Sequence, residues 1–244
     1  MMGTLINVIT ILVGTGLGVF LGDRLKANLQ ETVLAGLGLI TLVIGIQMAL
    51  TTTNILIVLG SVLLGGMLGE WLGIEAALER AGEWLQQRFQ ADTEREDEAT
   101  ENGFVKGFVV ASLLFAVGPL AILGSIQDGL TGDFRLLAIK ATLDGFASLA
   151  FASSLGIGVG FSALTILIYQ GGITLLAAQA DALLNQAMIN EMTATGGVLI
   201  ISLAISSLLE IKTIRVGNLL PALLVAPLIV WLLTLFGLPL VPPI

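Results

Sequence analysis

Apolar residues along this chain come in long blocks, not in alternation and not as thin helical stripes. The blocks lie at roughly 4–22, 31–50, 54–72, 104–124, 134–155, 157–178, 196–210 and 217–237, most of them near the ~20 residues a helix needs to cross a ~30 Å hydrocarbon core. Lipid offers the backbone no hydrogen bonds, so each block is expected to be a helix. The expected fold is an all-α polytopic membrane protein of about eight transmembrane helices, with residues 1–244 forming a single transmembrane domain. One polar interruption stands apart. Over 74–90, Ile74, Leu78, Ala81, Leu85 and Phe89 share a helical face, with Glu75, Glu79, Arg80, Glu83 and Gln86 elsewhere. That pattern predicts an amphipathic helix lying on the membrane, or else one packed on a partner. Trp71 and Trp84 suit the headgroup level, and the acidic run 91–102 reads as a solvated linker. The whole of 73–103 is therefore expected to be a cytoplasmic excursion, and a second, weakly amphipathic piece at 179–192 to link the sixth and seventh spans.

Composition narrows the chemistry. The chain is 56% hydrophobic and 11% charged, with neither Cys nor His, and its mean hydropathy is +1.00. Disulfides, thiolate or imidazole metal sites and Cys- or His-based catalysis are thereby excluded. No nucleotide loop, nucleophile elbow or zinc-protease sequence is present, so neither an enzyme nor a cofactor is expected. The net charge of −8 comes largely from the 91–102 run, and no basic cluster suggests nucleic acid. The first span lacks a basic leader and a small-residue cleavage site, and is read as a retained helix.

Lys and Arg set the expected orientation. Arg24 and Lys26 follow the first span, Arg80, Arg88, Arg95 and Lys106 surround the third connection, and Lys212 and Arg215 lie in the seventh; the second and sixth connections have none. The positive-inside rule then puts both termini outside the cytoplasm. A weak internal repeat agrees. Gly3–Phe20 aligns with Gly158–Leu175, matching Thr10-Ile11-Leu12 with Thr165-Ile166-Leu167, and Thr32–Ile46 aligns with Thr193–Ser207. Spans one and two thus map onto six and seven, and the expected inverted repeat sets spans one to three against six to eight around a central pair. A displacement of five spans inverts the copy, the plan of many secondary transporters.

The candidate chemistry lies in that central pair. Asp128, Asp133, Arg135, Lys140 and Asp144 fall close together in a chain that otherwise keeps charge out of its apolar blocks. A charge near the bilayer centre costs roughly 2.5–3.5 kcal/mol or more, so such residues tend to face a cavity or each other. Lys140 and Asp144 are spaced i, i+4 and can meet on one helical face. Gly118-Pro119 removes an intrahelical hydrogen bond, so the fourth span is read as an ordinary kink or as a discontinuous helix whose freed backbone meets a solute. A re-entrant segment around Pro119 is the alternative. Gly118, Pro119, Ser125, Gln127, Asp128, Asp133, Lys140 and Asp144 are accordingly the expected substrate or ion path. Arg215, Asn218, Asn7 and Thr10 are secondary candidates. Thr41, Gln47, Thr165, Gln170 and Ser202 could likewise coordinate an ion, or simply hydrogen-bond between helices. Gly14, Gly16, Gly18 and Gly22, and Gly65, Gly66 and Gly69, have the small-residue spacing that lets helix backbones approach closely.

Three segments carry a resemblance. GPLAILGSIQDGLTGD at 118–133, KATLDG at 140–145 and EIKTIRVGNLLPAL at 210–223 resemble the bacterial YdfK/YqgA-like integral-membrane family, which carries a domain of unknown function. The resemblance spans essentially the whole chain and implies a multi-span inner-membrane protein, with transport as the function suggested at most. Gly118, Pro119, Gln127, Asp128, Gly129, Asp133, Lys140, Asp144, Arg215, Asn218 and Pro221 match its signature positions, to which it assigns no roles. The leading expectation is a secondary transporter or ion-coupled permease for a small solute or ion, with the lipid bilayer and a homo-oligomeric copy as its other partners. A non-transporting scaffold that holds a partner through 74–102 is the second reading, and a passive channel the third.

Overall fold

A computed structural model describes residues 1–22, 26–89 and 98–240. Arg24, Arg95 and residues 91–97 of the acidic run lie outside the described residues. Eleven α-helices account for nearly all the rest: α1 (Met2–Gly22), α2 (Ala27–Ala49), α3 (Ile55–Leu72), α4 (Ile74–Phe89), α5 (Glu98–Ala116), α6 (Pro119–Thr131), α7 (Arg135–Leu155), α8 (Gly158–Leu175), α9 (Ala177–Leu183), α10 (Gln186–Leu203) and α11 (Ala222–Leu235). Among the described residues seven helices are long and apolar enough to cross a bilayer, and Gly103–Ala116 with Leu120–Thr131 forms a further pair bent by 62°.

Packing gives each span a direction. Gly3 lies against Leu137 and Gly22 against Ser153, so α1 and α7 run parallel. α5 and α8 are parallel too, with Phe104 at Gly158 and Ser112 bonded to Thr165 at 2.9 Å. By contrast α1 is antiparallel to α8, α2 to α10 and α3 to α11, as the contacts Thr15 to Gly160, Ala49 to Gly197 and Gly65 to Ala222 show when paired with those at the opposite ends. Those directions decide what the bent pair does. Were α5 and α6 to dip in and return on the same side, α7 would run opposite to α1. It runs with it, so α5 and α6 together cross once, and the directions are those of eight crossings. The re-entrant alternative is thereby excluded. Gly103–Thr131 is some 29 residues long, or ~43 Å as a straight helix, and the bend at Gly118-Pro119 fits that length into one crossing.

Glycine sets the closest approaches. A Cβ at Gly14 or Gly18 would overlap the backbone oxygens of Gly145 and Leu149 on α7, and one at Gly69 would overlap that of Asn218. Both Gly-rich spans therefore work as close-packing faces, as their spacing predicts. Ile11 and Ile166, the matched residues of the two Thr-Ile-Leu copies, are both 0% exposed in the central cluster.

Two boundaries differ from the sequence reading. The seventh span is Gln186–Leu208, not 196–210, and ends in a π-helical turn at Ala204–Leu208. Its first turns, with Gln186, Asn190 and Glu191, look too polar to enter a membrane, and only the fold shows Glu191 buried at 2% exposure. The link between α8 and α10 is therefore just α9 and its flanking residues. In addition, α5 begins at Glu98, inside the stretch read as linker. α4 turns its apolar side onto α5, where Leu85 joins Phe104 and Phe108, and leaves Trp84 largely exposed, as is Trp71 near the end of α3.

Candidate functional site

Where α1 lies between α7 and α8, six buried polar side chains form one chain of contacts. Lys140 and Asp144, one turn apart on α7, make an ion pair with both side chains about nine-tenths buried. Asn7 on α1 donates from Nδ2 to Asp144 Oδ2 at 2.9 Å and to Gln170 Oε1 on α8 at 3.1 Å. Gln170 Nε2 in turn donates to Thr4 Oγ1 at 3.2 Å, and Thr4 meets Thr174 at 3.5 Å. Asn7, Thr4 and Gln170 are each 0% exposed. One gap runs through this order: Asn7 Oδ1, Thr15 Oγ1 on the same helix and Ser148 Oγ, one turn beyond Asp144, are buried without a hydrogen-bond partner. Buried acceptors are nearly always satisfied, because leaving one unpaired costs about 1–3 kcal/mol.

The sequence-predicted residues divide between this seam and its end. Lys140, Asp144 and Asn7 are brought together in it. Thr10 is half-buried beside it and donates to its own helix at Asn7 O, 2.9 Å away. Asp128 is buried but is not the partner of Lys140. Its Oδ2 accepts the Gly3 N–H at 3.1 Å and lies 2.9 Å from the Met1 amino group, where the positive end of α1 favours a carboxylate. Asp133, Gln127 and Arg135 form a group at the α6–α7 turn. Gln127 Nε2 donates to Asp133 at 3.1 Å, and Arg135, 86% exposed, pairs with it at 2.9 Å. The Arg135 bonds hold the Asp133 carboxyl below its usual range. Arg135 thus belongs to a solvated turn and not to a buried site. Ser125, fully buried, bonds only to Ala121 O of its own helix. Gly118 is extended and Pro119 opens α6, so this pair shapes the path of the chain.

Arg215 and Asn218 serve elsewhere. Arg215 pairs with Glu70 at 2.6 Å, and Asn218 spans Glu70 Oε2, at 2.6 Å, and the Glu75 N–H, at 2.8 Å. Glu75 also accepts the Gly217 N–H. These bonds clamp the start of α4 to the 3-10 turn Val216–Leu219, and burial raises the Glu75 carboxyl above its usual range. Sequence reading did not join Glu70 and Glu75 to this motif, since their partners are more than 140 positions away. It also passed over Thr4, Thr15, Ser148 and Thr174, small hydroxyl residues that resemble packing residues in any span. Glu191 was missed for another reason. It holds the 50–54 loop through Thr52 Oγ1 at 2.6 Å and the Thr53 N–H at 3.0 Å, and a correctly placed seventh span would have shown it as an intramembrane carboxylate. Among the described residues no group of three acidic, His or Cys side chains could hold a metal ion.

Comparison with known proteins adds kinship without chemistry. A family model described as "Protein of unknown function (DUF554)" matches residues 2–231. "Uncharacterized membrane protein YdfK" of Bacillus subtilis (strain 168) is 31% identical over 243 residues, covering 98% of this chain and 99% of its own length. "Uncharacterized protein YqgA" of Escherichia coli (strain K12) is 32% identical over 224 residues, with 92% and 94% covered. No solved structure matches the chain.

Proposed function

This chain belongs to the DUF554 family, and from that premise, which supplies a membrane protein and no activity, we propose a secondary transporter or ion-coupled permease of the inner membrane. One observation carries the reading: an ion pair, Lys140 with Asp144, sits in the α1/α7/α8 seam and is continued by Asn7, whose Oδ1 is buried without a partner, and by Gln170. As a means of stabilising the fold this is poor value, because desolvation offsets the Coulomb attraction of a buried pair. As a place where charge is exchanged it is apt. The path is moved from the sequence expectation: it follows α1, α7 and α8, with the broken α5–α6 crossing packed along α8.

An inverted repeat of spans one to three on six to eight would fit alternating access. Spans one, two and three each pack antiparallel on their proposed counterparts, six, seven and eight, as a two-fold axis in the membrane plane requires. Arg80, Arg88, Lys106, Lys212 and Arg215 lie toward the end of the bundle opposite to Met1 and Leu240, which supports placing both termini outside the cytoplasm. The test uses a thiol in a chain that has none. Thr10→Cys should react with a membrane-impermeant reagent from either face of sealed vesicles, and Asp144→Asn should abolish reaction from one face. Reaction from neither face, with α4 needed for binding of a cytoplasmic protein, would instead favour the scaffold. Reaction from both faces regardless of Asp144 would favour a passive channel.

A further inference from the structure

The apolar side of α4 is taken by the protein itself. Leu85 joins Phe104 and Phe108, and a Cβ at Gly82 would stand 3.2 Å from Val105 and 3.3 Å from Phe108, so the face with the membrane-seeking pattern lies on α5. Those contacts fix the depth of the helix. Phe104, Val105 and Phe108 fall in the first two turns of the apolar stretch that begins at Gly103, which sets α4 beside this crossing where hydrocarbon gives way to headgroups. Trp71, in the last turn of α3 and 82% exposed, stands at the same boundary.

A different side of α4 is left open. Trp84 is 62% exposed, and Arg80 and Arg88, one turn before and one turn after it, are exposed on the same helical face. Arg80 donates from Nε to Ala76 O at 2.9 Å, and among the described residues neither guanidinium pairs with a carboxylate. Glu83 and Glu79, exposed as well, lie roughly 100° and 140° round the helix from Trp84. The helix thus has one cationic, aromatic side and one acidic side. An indole favours the bilayer boundary, an arginine fork matches phosphate oxygens, and a negatively charged leaflet attracts the first side while repelling the second. We infer that Trp84, with Arg80 and Arg88, docks α4 on the headgroups of anionic phospholipids. A zwitterionic headgroup carries the same phosphate beside its own cation, so net charge makes the selection. The α1/α7/α8 seam takes no part in this docking, which stands apart from the transporter reading.

The experiment makes Trp84 the only tryptophan of the full-length chain, by Trp71→Phe and Trp231→Phe, and reconstitutes it in phosphatidylcholine vesicles. Its fluorescence is quenched with increasing fractions of phosphatidylglycerol or phosphatidylcholine brominated on the acyl chains near the headgroup. Quenching by the brominated phosphatidylglycerol should half-saturate at a mole fraction at least about five-fold lower than by the zwitterionic lipid. Arg80→Gln together with Arg88→Gln should remove that difference, and a thermal unfolding transition verifies the fold of the variant. Raising NaCl to about 0.5 M should narrow the difference with both arginines in place, which keeps the test decisive if the double variant does not fold. Equal quenching by the two lipids overturns the inference, since the face would then touch the bilayer without selecting charge. So does a preference that survives both the arginine substitutions and high salt. Quenching by aqueous iodide and by neither lipid also overturns it, and hands this face to a cytoplasmic protein.

Discussion

Lys140 and Asp144 form the pair on which most depends. Removing either partner strands a buried charge, at a cost of about 3–5 kcal/mol, whereas removing both strands none. Lys140→Met and Asp144→Asn should therefore each lower the unfolding midpoint in detergent, while the double variant recovers much of the loss and remains inactive. A double variant that transports normally would move the site elsewhere. Their meeting was legible, because i, i+4 spacing brings two side chains together on any helix. Their partners were not: Asn7 is one polar residue among several in apolar spans, and only the position of α1 distinguishes it. The glycines divide the same way. Gly14→Ala meets the Gly145 carbonyl and should destabilise by about 1–3 kcal/mol. Gly16→Ala meets nothing within 4 Å and should gain up to about 1 kcal/mol from helix propensity. Comparing the two unfolding midpoints checks this, since the local sequence treats both glycines alike.

Helix α4 owes its place to its first turn. Asn218→Ala removes the acceptor of the Glu75 N–H and the donor to Glu70, so hydrogen exchange in 75–89 should quicken by about five- to thirty-fold, the loss of ~1–2 kcal/mol of local stability. Exchange in α1 should not change. Glu75 adds a pH dependence. Burial raises its carboxyl in the docked state, so the docked form binds the proton more tightly than the released one. Docking is then strongest below the ordinary glutamate range and weakens as pH rises from there through the raised, docked value. Glu75→Gln should flatten that dependence in hydrogen exchange. The amphipathic pattern of α4 was readable from charge and apolar spacing, but the surface it covers was not: Phe104 and Phe108 sit in an apolar block whose facing side has no signature of its own. The seventh span shows the reverse error. Hydropathy placed its start near 196 because Glu191 and Asn190 are polar, and it could not register that Thr52 and Thr53 would satisfy that carboxylate.

Across the whole molecule, helix directions bear on topology more firmly than hydropathy does. With both termini outside, Thr51→Cys in the α2–α3 turn should label only from the non-cytoplasmic face and Thr213→Cys only from the cytoplasmic face, both being exposed; the opposite result inverts the proposed orientation. The sequence by itself determined that the chain is a helical membrane bundle, roughly where its crossings lie, that its Gly-rich faces can pack closely, and that Lys140 and Asp144 share one helical face. Each of these follows from the solvation of apolar blocks or from contacts within one helix turn, where the period of 3.6 residues settles geometry. The tertiary structure alone decided that α5 and α6 make one bent crossing, that Asp128 is held by the start of α1 and not by Lys140, that Arg215 and Asn218 clamp α4, and that Asn7 joins the ion pair to Gln170. Those outcomes depend on which helix stands beside which, between residues more than 100 positions apart in most cases. Inside a bilayer, lipid is as apolar as the helix faces themselves, so hydrophobicity does not select the neighbour; close packing at small residues and a few buried hydrogen bonds do.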